Sequence, residues 1–423
     1  MFNRLKIAMY TLLSGVNVAL VGQLKLNEIM VLLSAPFVFD PRDFKAYPFF
    51  RKIIMALVAL FVFQAITDLW VVKSSSENFM RGWAAIVMSI LSFLFLFKTL
   101  KDDEAIFFFL CMTLIKNIIW TDENADRDMS YFKFKMVPIL SYGVYILSFL
   151  LYRKGQWKAV LALLLGYSLL CFARDSRSTG MVFFLGAIII YCFNSGMYLT
   201  RDRLLVFGLA GVILFQFAYV SYVNAVLNHE IGGEHASEQI DRLDNPYNPL
   251  ELLMTGRGET FAALAAIADA PLFGHGSWAK DDNLKYYRIL LLYQNEEMNE
   301  QLATSTDHLI PSHSILLGAW VNAGVGGFIA VLLVFIFLLR MGFYLIGHAA
   351  DTALYPVLVL MTIGVIWTFL FSPIQQLRFN IPAIGAILLR AYYDYVAEEN
   401  ELSDTEPINE PIAFISPEGK YER

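Results

Sequence analysis

The sequence predicts an all-α polytopic membrane protein of about twelve transmembrane helices with one large outer loop, on three observations. Hydrophobic residues make up 57% of the chain and charged ones 17%, against roughly 45–50% and about 25% in soluble domains. The apolar residues gather in blocks near the length of about 17–25 residues that a helix needs to cross a bilayer, with short charged connections between them. One connection, between Leu227 and His313, is long and polar. The mean hydropathy of +0.54 agrees.

In chain order the expected spans are Ile7–Val21, Glu28–Phe39, Ile53–Val72, Gly82–Leu100, Glu104–Trp120 and Met136–Tyr152. Trp157–Phe172, Gly180–Leu199, Leu204–Leu227, His313–Ile346, Leu354–Phe371 and Ile381–Val396 follow. The second is short for a full crossing. The tenth is too long for one and is expected to break at Gly324–Gly327. Lys and Arg concentrate in cytoplasmic connections, which fixes the orientation. With the N-terminus inside, Arg42, Lys45, Arg51, Lys52, Lys98, Lys101, Arg153, Lys154, Lys158, Arg201, Arg203 and Arg340 all fall inside.

Four regions follow. Residues 1–227 hold helices one to nine, 228–312 form the outer loop, periplasmic in a Gram-negative cell, and 313–396 hold helices ten to twelve. Residues 397–423, acidic and containing Pro407, Pro411 and Pro417, are expected to be a disordered cytoplasmic tail. No small-residue cleavage position follows the first apolar block, so that helix is expected to stay as an anchor. Cys111, Cys171 and Cys192 lie in or at the end of spans and read as free thiols. Walker and Rossmann glycine patterns, zinc spacings and a basic stripe with interleaved aromatics are absent, which argues against nucleotide, zinc and nucleic-acid chemistry.

The informative residues break the charge rule. Arg174 and Arg177 in "ARDSRSTG" fall in a short outer connection, where basic residues are scarce. Either Asp175 offsets them and both snorkel to lipid headgroups, or they form an anion site. The outer loop carries fourteen Asp and Glu against five Lys and Arg, one of which, Arg257, precedes a helix expected over Gly258–Ala270. An arginine beside a helix N-terminus concentrates positive potential and suits a phosphate; pairing with Glu259 is the alternative.

Of six histidines, His229, His235, His275, His308 and His313 lie in or at the edge of this loop, but no HExxH, His-x-His or i, i+4 pair occurs, so no metal site is expected. His313 reads as the first turn of a helix with Ser312 as a candidate N-cap. The dipole there would hold the imidazole neutral, as a general base requires; a structural imidazole at the interface is the alternative.

"SRSTG" after one span, "TGRGETFAALAAIADAPLFGHGS" in a long outer loop and "HSILLGAWVNAGVGG" opening the next span together resemble the O-antigen ligase/polymerase family. The last fits that family's His, Asn/Ser/Gln, nine residues, Gly, two residues, Gly pattern at His313, Ser314, Gly324 and Gly327. The resemblance covers roughly Ala173 to Leu389. It implies a membrane glycosyltransferase C type fold and a metal-independent, inverting enzyme of the bacterial inner membrane, active on its periplasmic side without a cofactor. The donor would be a glycan on polyprenyl (undecaprenyl) diphosphate, and the acceptor another glycan in polymerases or the lipid A core in ligases. A chain-length regulator is an implied partner.

Arg177 and Arg257 would then hold the diphosphate and His313 would act catalytically near the acceptor hydroxyl. Arg174 and Arg378 are further diphosphate candidates, the former without a clear family counterpart. A lipid-linked oligosaccharide flippase or other transporter is the competing class. Against it, no internal repeat is visible, and Asp68 and Lys116 sit near span ends rather than deep within them.

Overall fold

Long apolar runs become helices wherever local sequence lets them start and stop. The computed structural model describes residues 2–20, 22–120, 131–196, 216–217, 219–228, 237, 240–294 and 308–405. The first part comprises α1 (Phe2–Leu13), a hairpin of β1 (Asn17–Leu20) and β2 (Gly22–Lys25), α2 (Leu26–Val38), the short α3 (Asp43–Ala46) and α4 (Pro48–Ile66), which runs on as a π-turn to Val71. Next come α5 (Ser76–Thr99), α6 (Asp103–Ile119), α7 (Val137–Arg153), entered through a π-turn over Phe132–Met136, α8 (Trp157–Ala173) and α9 (Arg177–Asn194). The loop region holds α10 (Pro249–Thr255), α11 (Gly258–Asp269) and α12 (Lys285–Gln294); α13 (Ile315–His348), α14 (Tyr355–Phe371), α15 (Gln376–Phe379) and α16 (Ile381–Thr405) complete the chain. Start signals are local: the Asp102 carboxylate accepts the Ala105 N–H at 2.8 Å, and Pro48 opens α4.

Among the described residues, five helical stretches are long and apolar enough to cross a membrane: Pro48–Val71, Ser76–Thr99, Phe132–Arg153, Arg177–Asn194 and Ile315–His348. Leu26–Val38, Trp157–Ala173 and Tyr355–Phe371 are shorter apolar helices. The protein is an all-α, multi-pass membrane protein.

Two details differ from expectation. The first expected span, Ile7–Val21, is divided: α1 ends at Leu13, and Asn17 pairs with Lys25 in an antiparallel hairpin. Its valines and leucines, with Gly22, suit a tight two-stranded turn as well as a helix. The last helix runs past Val396 to Thr405, because Ala, Glu and Leu in "AEENEL" are strong helix formers; only residues 406–423 of the expected tail lie outside the described residues. Most of the ninth expected span also lies outside them, with residues 219–227 helical apart from their surroundings.

The largest buried cluster joins α1, α4, α5, α6, α13, α14 and α16, and a second joins α7, α8, α9 and α14. Thus α13 is the central helix, and it breaks as expected. Ala323 (φ −127°, ψ 16°) and Gly324 (φ 63°, ψ −163°) leave helical geometry, separating a short helix that starts at Ile315 from the long remainder.

Loop residues 271–276 fill that break. His275 N–H donates to Val321 O at 2.7 Å, Gly276 N–H to Asn322 O at 3.0 Å, and Val325 N–H to Pro271 O at 3.0 Å, so the donors and acceptors freed by the kink are satisfied. The other side of the loop is held by Asp68, which is 1% exposed. Its carboxylate accepts Ser277 N–H and Oγ–H at 2.7 Å each, Ser74 Oγ–H at 2.8 Å and Trp83 Nε1–H at 3.0 Å. The outer loop is therefore clasped between α4, α5 and the kink.

Gly324 shows how tight the clasp is. Its φ/ψ pair belongs to a region essentially restricted to glycine, and a Cβ there would collide with Leu272 O and C and with Phe273 Cα. Gly324→Ala is expected to expel the loop, lowering the thermal midpoint by several degrees, given a strain of roughly 1–3 kcal/mol. Gly347→Ala, on α13 with open space around it, is expected to leave the midpoint unchanged or raise it. Equal midpoints for both variants would show that the kink does not depend on close approach.

Candidate active site at one end of the helix bundle

The turn between α8 and α9 sets the first arginines. Asp175 adopts φ 56°, and Ser176 N–H reaches Cys171 O at 2.8 Å, a left-handed helix stop that reverses the chain within three residues. Arg174 is thereby the C-cap of α8 and Arg177 the first residue of α9. The Arg177 guanidinium binds the Asp175 carboxylate through Nε at 2.9 Å and Nη2 at 2.8 Å, and its Cζ lies 5.5 Å from the Tyr222 ring centroid. The Tyr222 hydroxyl is buried and has no hydrogen-bond partner among the described residues. A buried phenol beside a guanidinium can donate to an incoming anion.

Arg257 is the N-cap residue of α11 and makes no side-chain capping bond. Its guanidinium instead packs on aromatic rings at the end of α14, 4.6 Å from the Phe371 centroid and 5.3 Å from that of Trp367. Burial pulls its pKa down, while Glu259 pushes the other way. An arginine stays charged under such a pull, and stacking fixes its plane with the N–H edges available.

His313 is corrected in one respect. Ser314, not Ser312, is the N-cap of α13: its Oγ accepts the Leu317 N–H at 3.3 Å and donates to Phe369 O at 3.0 Å. His313 therefore precedes the helix in extended backbone, and the dipole of the first turn is not what governs it. Its pKa is nonetheless lowered. Desolvation by the surrounding protein is the largest cause, Glu259 opposes it, and Arg257 and Lys133 add to it, although His313 keeps an exposed surface. The direction is the one the sequence suggests, with burial rather than the helix dipole as its first cause.

Lys133 is the residue that sequence reasoning missed, and Glu259, considered there only as a partner of Arg257, also acts on His313. Lys133 comes from the π-turn before α7, far from the loop in sequence. The turn is fixed by Lys135, whose Nζ donates to Asn117 O, Ile118 O and Trp120 O at 2.9–3.0 Å and so caps α6. Two lysines in "YFKFK" opposite a long polar loop were the available signal. Arg174 joins this side, with its Cζ 5.2 Å from the centroid of Phe132, the residue before Lys133.

The fold thus brings His313, Arg257, Glu259 and Lys133 within electrostatic reach of one another and sets Arg174 and Arg177 on adjoining elements. Arg378 is held elsewhere. It makes a two-pronged pair with the buried Glu28 carboxylate, Nε to Oε1 and Nη2 to Oε2 at 2.5 Å each. Of the other loop histidines, His275 Nε2 contacts Ala266 O at 2.8 Å and His308 stacks on Tyr287, while His229 and His235 lie outside the described residues.

No curated protein matches the chain. Residues 159–332 match the family model described as O-antigen ligase. The matched segment begins in α8 and ends just beyond the α13 kink. It contains Arg174, Arg177, Arg257, His313, Gly324 and Gly327 and leaves out Lys133 and Arg378. Residues 159–332 thus carry an O-antigen ligase domain, which supports the O-antigen ligase/polymerase family for this chain.

Proposed function

We propose that the protein moves a glycan from a polyprenyl diphosphate, undecaprenyl diphosphate in a bacterial inner membrane, to a sugar hydroxyl on a second glycan or on the lipid A core. The observation that carries this reading is the convergence of stacked Arg257, Lys133 and a neutral histidine at one end of an apolar helical bundle, inside a family whose members perform glycan transfer of this type.

The acceptor hydroxyl attacks the anomeric carbon of the donor sugar, and its proton passes to the free ring nitrogen of His313. The new C–O bond forms as the old C–O bond to diphosphate breaks, and the bonding pair leaves on the lipid diphosphate. Arg257 and Lys133, with Arg177 and Arg174 beside them, stabilise the charge that grows on that leaving group. Glu259 limits how far the cations depress the His313 pKa. A single displacement inverts the anomeric configuration, and these cations supply the stabilisation that a divalent metal supplies in other glycosyl transfers. Arg378 is a weaker diphosphate candidate because Glu28 already neutralises it.

The reading requires the site to face outward. Single cysteines at Ser237 and Ser403, in a background lacking Cys111, Cys171 and Cys192, test this with a membrane-impermeant thiol reagent on intact spheroplasts. Ser237→Cys is expected to label and Ser403→Cys only after permeabilisation. Labelling of the tail in sealed spheroplasts would overturn the orientation. The activity itself is tested with purified protein, a lipid-diphosphate glycan and two acceptors, rough lipopolysaccharide and a second lipid-linked glycan. Release of lipid diphosphate without a new glycosidic product would sink the proposal.

A further inference from the structure

Beside Leu309, Ile310 and Ser312, in the segment that leads to His313, lies a cavity of about 130 Å³. It is enclosed by α4, α5, the clasped loop, the short helix of α13 and α15. Its polar wall is made of Gln64, Ser277, Ser312, Asn322 and Gln375, and Trp278 and Phe379 contribute aromatic surface. The one ionised group on the wall, Arg378, is matched by the Glu28 carboxylate.

This lining differs in kind from the cationic side. Amides and hydroxyls offer both donors and acceptors without net charge, as a polyol needs, and an indole or phenyl face packs on the C–H face of a sugar ring. The Ser312 Oγ is buried and has no hydrogen-bond partner among the described residues, so a donor and an acceptor site on this wall are unmet. Trp278 has φ 52°, unusual for so large a residue, and its ring lies 5.7 Å from Arg81 Cζ. The volume is well below the roughly 300–1,000 Å³ of sites for drug-sized ligands, which suits one ring rather than a chain. Ser312 and His313 are consecutive in the chain, so a ring in the cavity lies one residue from the candidate base.

We infer that this cavity is the acceptor subsite and receives the neutral monosaccharide unit that bears the attacking hydroxyl. The inference rests on the glycan-transfer reading above, but its binding test does not. Gln375→Cys and, separately, Ser312→Cys in the cysteine-free background are labelled with a small neutral thiol reagent. Competitors are the lipid-free core oligosaccharide, the free repeat-unit oligosaccharide and inorganic pyrophosphate. One of the two oligosaccharides is expected to slow labelling at least fivefold, and pyrophosphate to leave it unchanged. Protection by pyrophosphate, or by none of the three, would overturn the inference.

A kinetic arm uses Ala85→Leu, which fills the cavity from α5. It is expected to raise the acceptor KM at least tenfold with the donor KM unchanged; a rise in donor KM alone, or in neither, counts against the subsite. Oligosaccharide protection in a protein that transfers nothing would keep the sugar site and reject the glycan-transfer reading instead.

Discussion

His313→Ala is expected to lower glycan transfer by about 10²–10⁴-fold, the contribution of a positioned general base, while the protein still reaches the membrane. The pH dependence makes the test specific. The base must be neutral, and its pKa lies below the ordinary imidazole value because protein crowding comes first among the causes. Activity should therefore persist below that value and fall only as the pH drops through the lowered pKa. Lys133 lowers this pKa and Glu259 raises it. Lys133→Met should accordingly move the acid limb to higher pH, and Glu259→Gln should move it to lower pH.

Opposite movements are what a titrating His313 requires; limbs that move together, or full activity in His313→Ala, would return the residue to a structural role. His275→Ala and His308→Ala are expected to cost far less, since the contacts of His275 with Ala266 O and Tyr286 and of His308 with Tyr287 are made within the loop region.

Arg257→Ala is expected to reduce kcat by about 10²–10³-fold, comparable to losing one charge-stabilising donor in a transition state. Arg257→Lys should recover little of it. A lysine keeps the charge but has neither the plane that stacks on Phe371 and Trp367 nor the fork that holds two oxygens at once. Arg177→Ala should behave similarly, although Asp175 already shares its guanidinium. Steady-state kinetics with a lipid-diphosphate donor separate the outcomes. Wild-type turnover in Arg257→Ala would identify that residue as a packing element against α14, with its charge answered by Glu259.

Much of the site could be read because its signals are local. Arg174 and Arg177 stood out against the charge asymmetry of neighbouring connections, and Arg257 against an acidic loop. The α13 break was legible because three glycines, Gly324, Gly326 and Gly327, in an overlong apolar run weaken the helix there. The N-cap was misplaced by two residues because Ser312 and Ser314 are equivalent in sequence. Only the Phe369 carbonyl of α14, packed alongside, gives Ser314 a second bond.

The sequence by itself determined the membrane class, most of the apolar helices, the long polar loop before Ile315 and the order of Arg177, Arg257 and His313, since each follows from composition or short-range spacing. Tertiary structure alone decided which charges meet. Arg378 pairs with Glu28, 350 residues away, apart from the charges around His313, while Lys133 joins those charges from a different connection. Asp68, at a span end, accepts from Gln64, Ser74 and Trp83 and twice from Ser277, and so holds the loop against the α13 kink. The physical reason is that hydropathy and helix propensity act along the chain, whereas a buried charge finds its partner by how helices pack, and that packing brings together residues hundreds of positions apart.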